Sequence, residues 1–237
     1  MQMNHMKRDI MDKQVKYLII FLLFPLNLNA IVFTQDQWVE LYLRDCKTVE
    51  RNMACKKELE KALGKMADYK SMTFKYLDKE GLPRWLATIP IVESSYNKDA
   101  VSKVGALGLW QLMPYNIQSY KTKKIILLDY KMIPTTKKIR KYGFNPVSNT
   151  EIASLHFSKL FLKYRHHKET EKLAVLAYNS GGRRVDLWLS GKSRLPDETH
   201  NYYNKIMAIQ YIIKNLKKLN VKPVKEPTIF EYVKSLI

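Results

Sequence analysis

Gly81-Leu-Pro-Arg-Trp-Leu-Ala-Thr-Ile-Pro-Ile-Val-Glu-Ser-Ser-Tyr-Asn97 decides the reading of this chain. Gly81 stops one helix, and Pro83 suits the first turn of the next. Residues 84–95 read as a helix rich in Trp, Leu and Ile, and Pro90 inside it predicts a kink or a restart. The apolar run 89–92 then delivers one acid, Glu93, with no Lys or Arg nearer in sequence than Lys98. An apolar wall disfavours the charged carboxylate, so its pKa is expected to rise. A carboxylic acid that holds its proton near neutral pH can act as a general acid. The plain alternative is a surface Glu at a helix end.

The residues just downstream favour the chemical reading. Ser94, Ser95, Tyr96, Asn97 and Ser102 are neutral hydrogen-bonding groups. Gly105-Ala-Leu-Gly108 lets the backbone pass close to something bulky. Trp110 and Gln111 are expected to offer a stacking face and an amide. Neutral hydrogen bonders beside aromatic faces suit a sugar. A nucleic-acid site would interleave basic residues with its aromatics, and this stretch does not.

Outward from this segment the chain reads as helices, which makes the fold class mainly α. Residues 36–79 carry an apolar stripe (Trp38, Leu41, Leu59, Leu63, Phe74, Leu77) and divide into two helices near Arg51-Asn52. Trp110-Gln-Leu-Met113 is expected to open a short helix. The Lys-rich residues 120–147 are the least regular, with room for a short strand near 124–133. Ser148-Asn-Thr-Glu151 is a capping-box pattern, and Thr170 is expected to cap the next helix, which ends at Gly181-Gly182. The last long helix is expected from about Asp197 to Leu219. Residues 220–237 form a tail.

Length, charge and the N-terminus narrow the function classes. The 237 residues carry 41 Lys+Arg against 22 Asp+Glu, a formal net charge of +19, and 46% hydrophobic residues are enough for a real core. The charge excess suits nucleic acid, acidic lipid or an anionic wall polymer. The basic residues 1–16 precede an apolar run, 17–28, of about a dozen residues, shorter than the ~20 of a membrane span. It reads as an export signal cleaved near Ala30, with an uncleaved anchor as the alternative. Its loss removes four basic and two acidic residues and leaves +17. Export counts against nucleic acid as a partner and sets Cys46 and Cys55 in an oxidising compartment. Nine residues apart on one helix they would be too distant to bridge, so a disulfide needs a turn between them.

Four ordered stretches resemble the motifs of family 1 lytic transglycosylases, whose fold is like that of goose-type lysozyme. Residues 81–97 resemble the segment around the family's catalytic glutamate. Ser102-Lys-Val-Gly-Ala-Leu-Gly-Leu-Trp-Gln-Leu-Met-Pro114 resembles the second motif, Ala177-Tyr-Asn-Ser-Gly181 the third, and Leu195-Pro-Asp-Glu-Thr-His-Asn-Tyr202 the fourth. Trp110 and Asn179-Ser-Gly look most like the membrane-bound murein transglycosylase D subgroup. The resemblance implies a helical SLT domain over 81–220, preceded by a signal (1–30) and an N-terminal helical segment (31–80), and followed by a tail (221–237).

The resemblance also implies roles. Glu93 would be the sole acid/base, cleaving the bond between MurNAc and GlcNAc in peptidoglycan glycan strands without consuming water. Ser102, Gln111 and Met113 would line the site near the scissile sugar. Tyr178 and Asn179 would sit beside Glu93, and Glu198 and Tyr202 would shape the groove. One carboxyl suffices because the MurNAc C6 hydroxyl is a tethered nucleophile, whereas ordinary glycosidases flank the bond with two. Asp99 is the only other acid close by in sequence and reads as a loop residue. No cofactor is implied. The five His (His5, His156, His166, His167, His200) show no metal-ligand spacing, so no metal is expected. Against the D subgroup, the tail is too short for LysM repeats and no Cys follows the signal for lipid attachment. Arg183 and Arg184 could meet the carboxylates of the wall's peptide stems. The rival readings are a hydrolytic muramidase, an inactive wall-binding or scaffolding protein, and a nucleic-acid binder that leaves the four motifs unexplained. Peripheral membrane or wall association, and partnership with wall-synthesis or secretion machinery, stay open.

Overall fold

Among the residues that the computed structural model describes (32–45, 55–125 and 136–224), every regular element is a helix. The first, α1 (Gln35–Leu43), starts on a capping box: Thr34 Oγ1 accepts from the Gln37 N–H, and the Gln37 side chain accepts from the Thr34 N–H. That satisfies two of the orphan amides at a helix start. The chain leaves α1 at Arg44 and resumes at α2 (Lys56–Lys79), where the Lys56 N–H donates to the Arg44 carbonyl. One helix thus ends at Leu43 and the next begins at Lys56, while the expected break position, Arg51-Asn52, lies outside the described residues. Cys55 is disulfide-bonded. Cys46, the export signal and the cleavage site near Ala30 lie outside the described residues, as do residues 126–135.

The helix expected over 84–95 is divided at its proline. A 3₁₀ turn (Arg84–Thr88) passes into α3 (Ile89–Ser94), with Pro90 in the first turn, where its missing N–H costs nothing. Residues 110–113 are not helical, contrary to expectation. Gln111 adopts a left-handed backbone (φ 46°), and Leu112 bridges back to Leu107, so the helix begins only at Pro114. This α4 (Pro114–Ile125) takes in residues 124–125 of the expected strand. A short α5 (Thr136–Phe144) follows.

Two expected caps are also corrected. The next helix, α6 (Pro146–Tyr164), has its N-cap at Asn145, three residues before the position read as its N-cap: Asn145 Oδ1 accepts from the Ser148 N–H, and Pro146 occupies the first turn. In α7 (Thr170–Ser180) Thr170 does not cap forward; its hydroxyl bonds back to the Tyr164 and His167 carbonyls. Gly181 (φ 86°) ends α7 and at once opens α8 (Gly182–Leu189), a helix the sequence did not announce. The last helix, α9 (Asp197–Lys214), stops short of Leu219 at Asn215.

One main core joins these elements. Leu59, Leu63 and Leu77 of α2, Ile89 and Ile91 of α3, Ile152 and Phe157 of α6, and Ile206, Ile209 and Ile212 of α9 are all buried in it. Each such side chain contributes about 1.5–3 kcal/mol on full burial. A second cluster, including Leu160, Leu173, Leu176 and Val185, ties α6 to α7 and α8. Residues 56–79 share the main core and α1 packs on α9, so the N-terminal helices are part of the same packed body. Helix α9 meets α1, α3 and α7, and so passes directly behind Glu93.

Candidate active site

Glu93 is held at the end of a very short helix by an unusual backbone. Ser95 (φ 50°) and Tyr96 (φ 57°) both take the left-handed conformation, which side chains other than glycine rarely adopt. Their neighbours hold them there. Tyr96 is buried, its hydroxyl donates to the Ala87 carbonyl at 2.6 Å, and its ring stacks on Tyr69 of α2 at 6.0 Å. Ser94 Oγ donates to the Leu109 carbonyl at 2.8 Å, pinning the helix end to the following loop. Strain kept by such tight surroundings is a mark of functional sites.

The carboxyl itself is half-buried, and Tyr202 Oη of α9 donates to Glu93 Oε1 at 2.6 Å. Burial pushes the Glu93 pKa up to about 7. The Tyr202 hydrogen bond opposes that rise, the charge of Glu198 adds to it, and the charge of Lys205 opposes it. The carboxyl is thus poised between its two protonation states at neutral pH. Tyr178 and Tyr202 are held far above the ordinary tyrosine range, mainly by burial and then by the charge of Glu93, so both keep their protons.

Tyr178 of α7 donates to the Trp110 carbonyl at 2.7 Å, and its ring stacks on Phe157 at 4.3 Å. His156 of α6 lies 5.6 Å from the same ring and bonds Tyr120 through Nδ1 at 2.9 Å. Burial, and secondarily the charge of Lys159, hold the His156 pKa down to about 4, so the imidazole is neutral. The structure thus brings Glu93, Tyr178, Glu198 and Tyr202 into one electrostatic cluster. Glu198 is exposed on the first turn of α9, one turn before Tyr202. Asn179 is exposed next to Tyr178.

Ser102, Gln111 and Met113 belong to the loop against α3, and their visible bonds shape that loop. Ser102 Oγ accepts from the Ala106 N–H at 2.9 Å. The Gln111 side-chain Nε2 donates to the carbonyls of Gly108 (2.9 Å) and Ala100 (3.3 Å). Met113 is half-buried where the loop enters α4. Trp110 is not a stacking face: it is 0% exposed, its N–H donates to Asn149 Oδ1 at 2.9 Å, and its indole N–H donates to Thr150 Oγ1 at 3.0 Å. The ring serves as an anchor for the loop. Asp99 is exposed and paired with Lys98 at 2.7 Å. Among the described residues no group of three or more His, Cys, Asp or Glu is placed to hold a metal ion.

The transglycosylase SLT domain family matches residues 71–201, more than half of the chain. The chain belongs to this family. The SLT match contains Glu93, Ser102, Gln111, Met113, Tyr178, Asn179 and Glu198, and Tyr202 is the next residue after it. The chain is 28% identical over 158 residues to membrane-bound lytic murein transglycosylase D of Escherichia coli K12, and equally to that of E. coli O6:H1. These matches cover 61% of this chain and 31% of the relatives' length. Two solved structures are also similar. The lytic transglycosylase Slt of Pseudomonas aeruginosa, solved as an inactive mutant, has 26% identity and a TM-score of 0.48, covering 65% of this chain and 25% of that one. The 70 kDa soluble lytic transglycosylase of E. coli has 21% identity and a TM-score of 0.49, covering 69% and 26%.

Sequence reasoning missed Lys205, whose charge acts on Glu93 and which lies outside the SLT match. The one signal for Lys205 is its spacing of three residues after Tyr202, which puts both on one helix face.

Proposed function

We propose that this SLT-family chain is a peptidoglycan lytic transglycosylase with Glu93 as its single acid/base. The observation that carries the reading is a half-buried carboxyl with a pKa of about 7, aligned by a 2.6 Å bond from a tyrosine that stays protonated. In the first step Glu93 gives its proton to the glycosidic oxygen between MurNAc and GlcNAc, and that C–O bond breaks. The resulting carboxylate then takes the proton of the MurNAc C6 hydroxyl as this oxygen bonds to C1 of its own sugar. The product is a 1,6-anhydroMurNAc end; no water is consumed, and Glu93 ends protonated as it began.

Each step asks something different of the site. Burial favours the acid form needed first, while Tyr202 stabilises the carboxylate needed second. A pKa near the working pH serves both. Ser102, Gln111 and Met113 are assigned to the wall beside the scissile sugar, Tyr178 and Asn179 to the reacting sugar, and Glu198 and Tyr202 to the groove around Glu93.

The same reading places the protein outside the cytoplasm, after cleavage near Ala30 or on an uncleaved anchor, with the catalytic unit spanning 81–220. Its relative in E. coli is named as membrane-bound. Among the described residues no helix is long and apolar enough to cross a membrane. Mass spectrometry of digested sacculi tests the chemistry. Anhydro-muropeptides are the expected products; reducing MurNAc ends alone would make the enzyme a hydrolytic muramidase, and no release at all would favour a wall-binding protein.

A further inference from the structure

A positive charge faces the acidic cluster from α9. Lys205 lies three residues after Tyr202, on the same helix face, and is half-buried. Its Nζ sits over the ring of Trp38 at 4.5 Å from the centroid, within cation–π range. Burial disfavours the charged ammonium, while the carboxylates of Glu198 and then Glu93 favour it. The ammonium therefore acts on both acids through space, from a fixed seat.

That seat is built with care. Trp38 is only 5% exposed, and its indole N–H donates to Asn201 Oδ1 at 3.4 Å. The same oxygen accepts from the Phe33 N–H at 2.8 Å, and Asn204 Nδ2 donates to the Phe33 carbonyl at 2.7 Å. Phe33 meets Trp38 edge-on at 5.4 Å. Helix α9 thus clamps the entry to α1 with Asn201 and Asn204, and α1 returns an aromatic face to Lys205. Around Glu93 the titratable neighbours are Tyr202, Glu198 and Lys205 from α9 and Tyr178 from α7, with Tyr120 of α4 and His156 of α6 behind Tyr178. From α2, Tyr69 stacks on Tyr96. Among the described residues Lys205 is the cation that acts on Glu93 itself; Lys159 of α6 lies farther back, 3.8 Å from the Tyr120 ring centroid.

We propose that Lys205 is a positioning residue for Glu93, and that Trp38, in a helix outside the SLT match, holds Lys205 in place. The proposal rests on the reading of Glu93 as the acid/base. Its chemical sense lies in the second step, which needs Glu93 as a carboxylate. Burial and Glu198 both work against that form, and Lys205 works for it.

The test is a titration of Glu93 in the full chain carrying 13C-carboxyl glutamate, with the signal assigned by its loss in Glu93→Gln. Lys205→Met is expected to raise the Glu93 midpoint by about half a pH unit or more. Lys205→Arg, which keeps the charge and the ring contact, should leave it in place. Trp38→Leu should also raise it, while Trp38→Phe, which keeps a ring, should not. In kcat/KM profiles on solubilised glycan strands, the alkaline fall in activity should move with the midpoint. An unchanged midpoint in Lys205→Met overturns the proposal. A folded Trp38→Leu with the wild-type midpoint overturns the part given to α1. Because the titration needs no turnover, it stands apart from the catalytic reading, which fails instead if Glu93→Gln stays fully lytic.

Discussion

At the scale of single residues, the charge state of Glu93 is a balance with a sign for each neighbour. The Tyr202 hydrogen bond favours the carboxylate, so Tyr202→Phe should lift the Glu93 pKa above about 7. The acid form would then persist to higher pH, and the alkaline fall of kcat/KM should move up. The rate itself should drop about tenfold or more, because the carboxyl loses its alignment. Glu198→Gln removes a like charge and should do the reverse, lowering the pKa and moving the alkaline fall down. Identical pH profiles for the two variants would mean that neither group tunes Glu93.

The sequence made Glu93 legible because it directly follows the apolar run 89–92, whose Ile89, Pro90 and Ile91 are buried in the same short helix. Trp110 misled for the opposite reason. An aromatic beside two glycines suits a sugar platform or an anchor equally, and only the partners Asn149 and Thr150, brought in by α6, decide it. Lys205 was invisible because its effect on Glu93 depends on how α9 packs, which no local pattern reports.

Among the elements, the loop of residues 97–113 is held by α5 and α6. Gly108 (φ 75°) has no space for a side chain: a Cβ there would lie 2.1 Å from the Gly143 carbonyl of α5 and 3.0 Å from Asn149 Nδ2. Asn149 is itself buried and bonds the loop twice, at the Trp110 N–H and the Leu107 carbonyl. Gly108→Ala should cost about 3 kcal/mol, or roughly 6–12 °C in Tm, through backbone overlap. Gly191 also has a positive φ (72°) but open space around it, so Gly191→Ala should cost only about 1 kcal/mol. Thermal melts of the two variants compare them directly; equal losses would show that conformation, and not the close approach, sets the cost.

Helix existence was largely legible, and so were the starts of α1 near Asp36 and α9 at Asp197, but the start of α6 was not. At α6 two signals lie close together: Asn145-Pro146 and the Ser148–Glu151 box. The earlier one wins because Asn145 bonds the Ser148 amide while Pro146 supplies a preset φ. At Gly181-Gly182 a stop signal was read correctly, but the same glycine also begins α8. Two glycines give no hint of a helix resuming at once.

Across the whole molecule, the formal charge of +19, or +17 once residues 1–30 are removed, faces a proposed substrate rich in stem-peptide carboxylates. Arg183 and Arg184 are exposed at the start of α8, near Asn179. Association driven by such charge is screened within about 10 Å at 0.1 M salt. Binding to purified sacculi should therefore weaken severalfold between roughly 50 and 300 mM NaCl, as read by co-sedimentation. Salt-indifferent binding would leave the charge without a part in encounter. Composition could name this tendency; it could not show that the proposed acid/base, Glu93 of α3, meets Tyr178 of α7 and Tyr202 of α9.

The most direct test of the account compares wild type and Glu93→Gln on the same sacculi, with released muropeptides identified by mass spectrometry. The substitution keeps the shape of the side chain and removes its exchangeable proton. Wild type should release 1,6-anhydro-muropeptides, and Glu93→Gln, folded and still bound to sacculi, should release about 1,000-fold less or none. Undiminished anhydro-muropeptide release by Glu93→Gln would contradict the account.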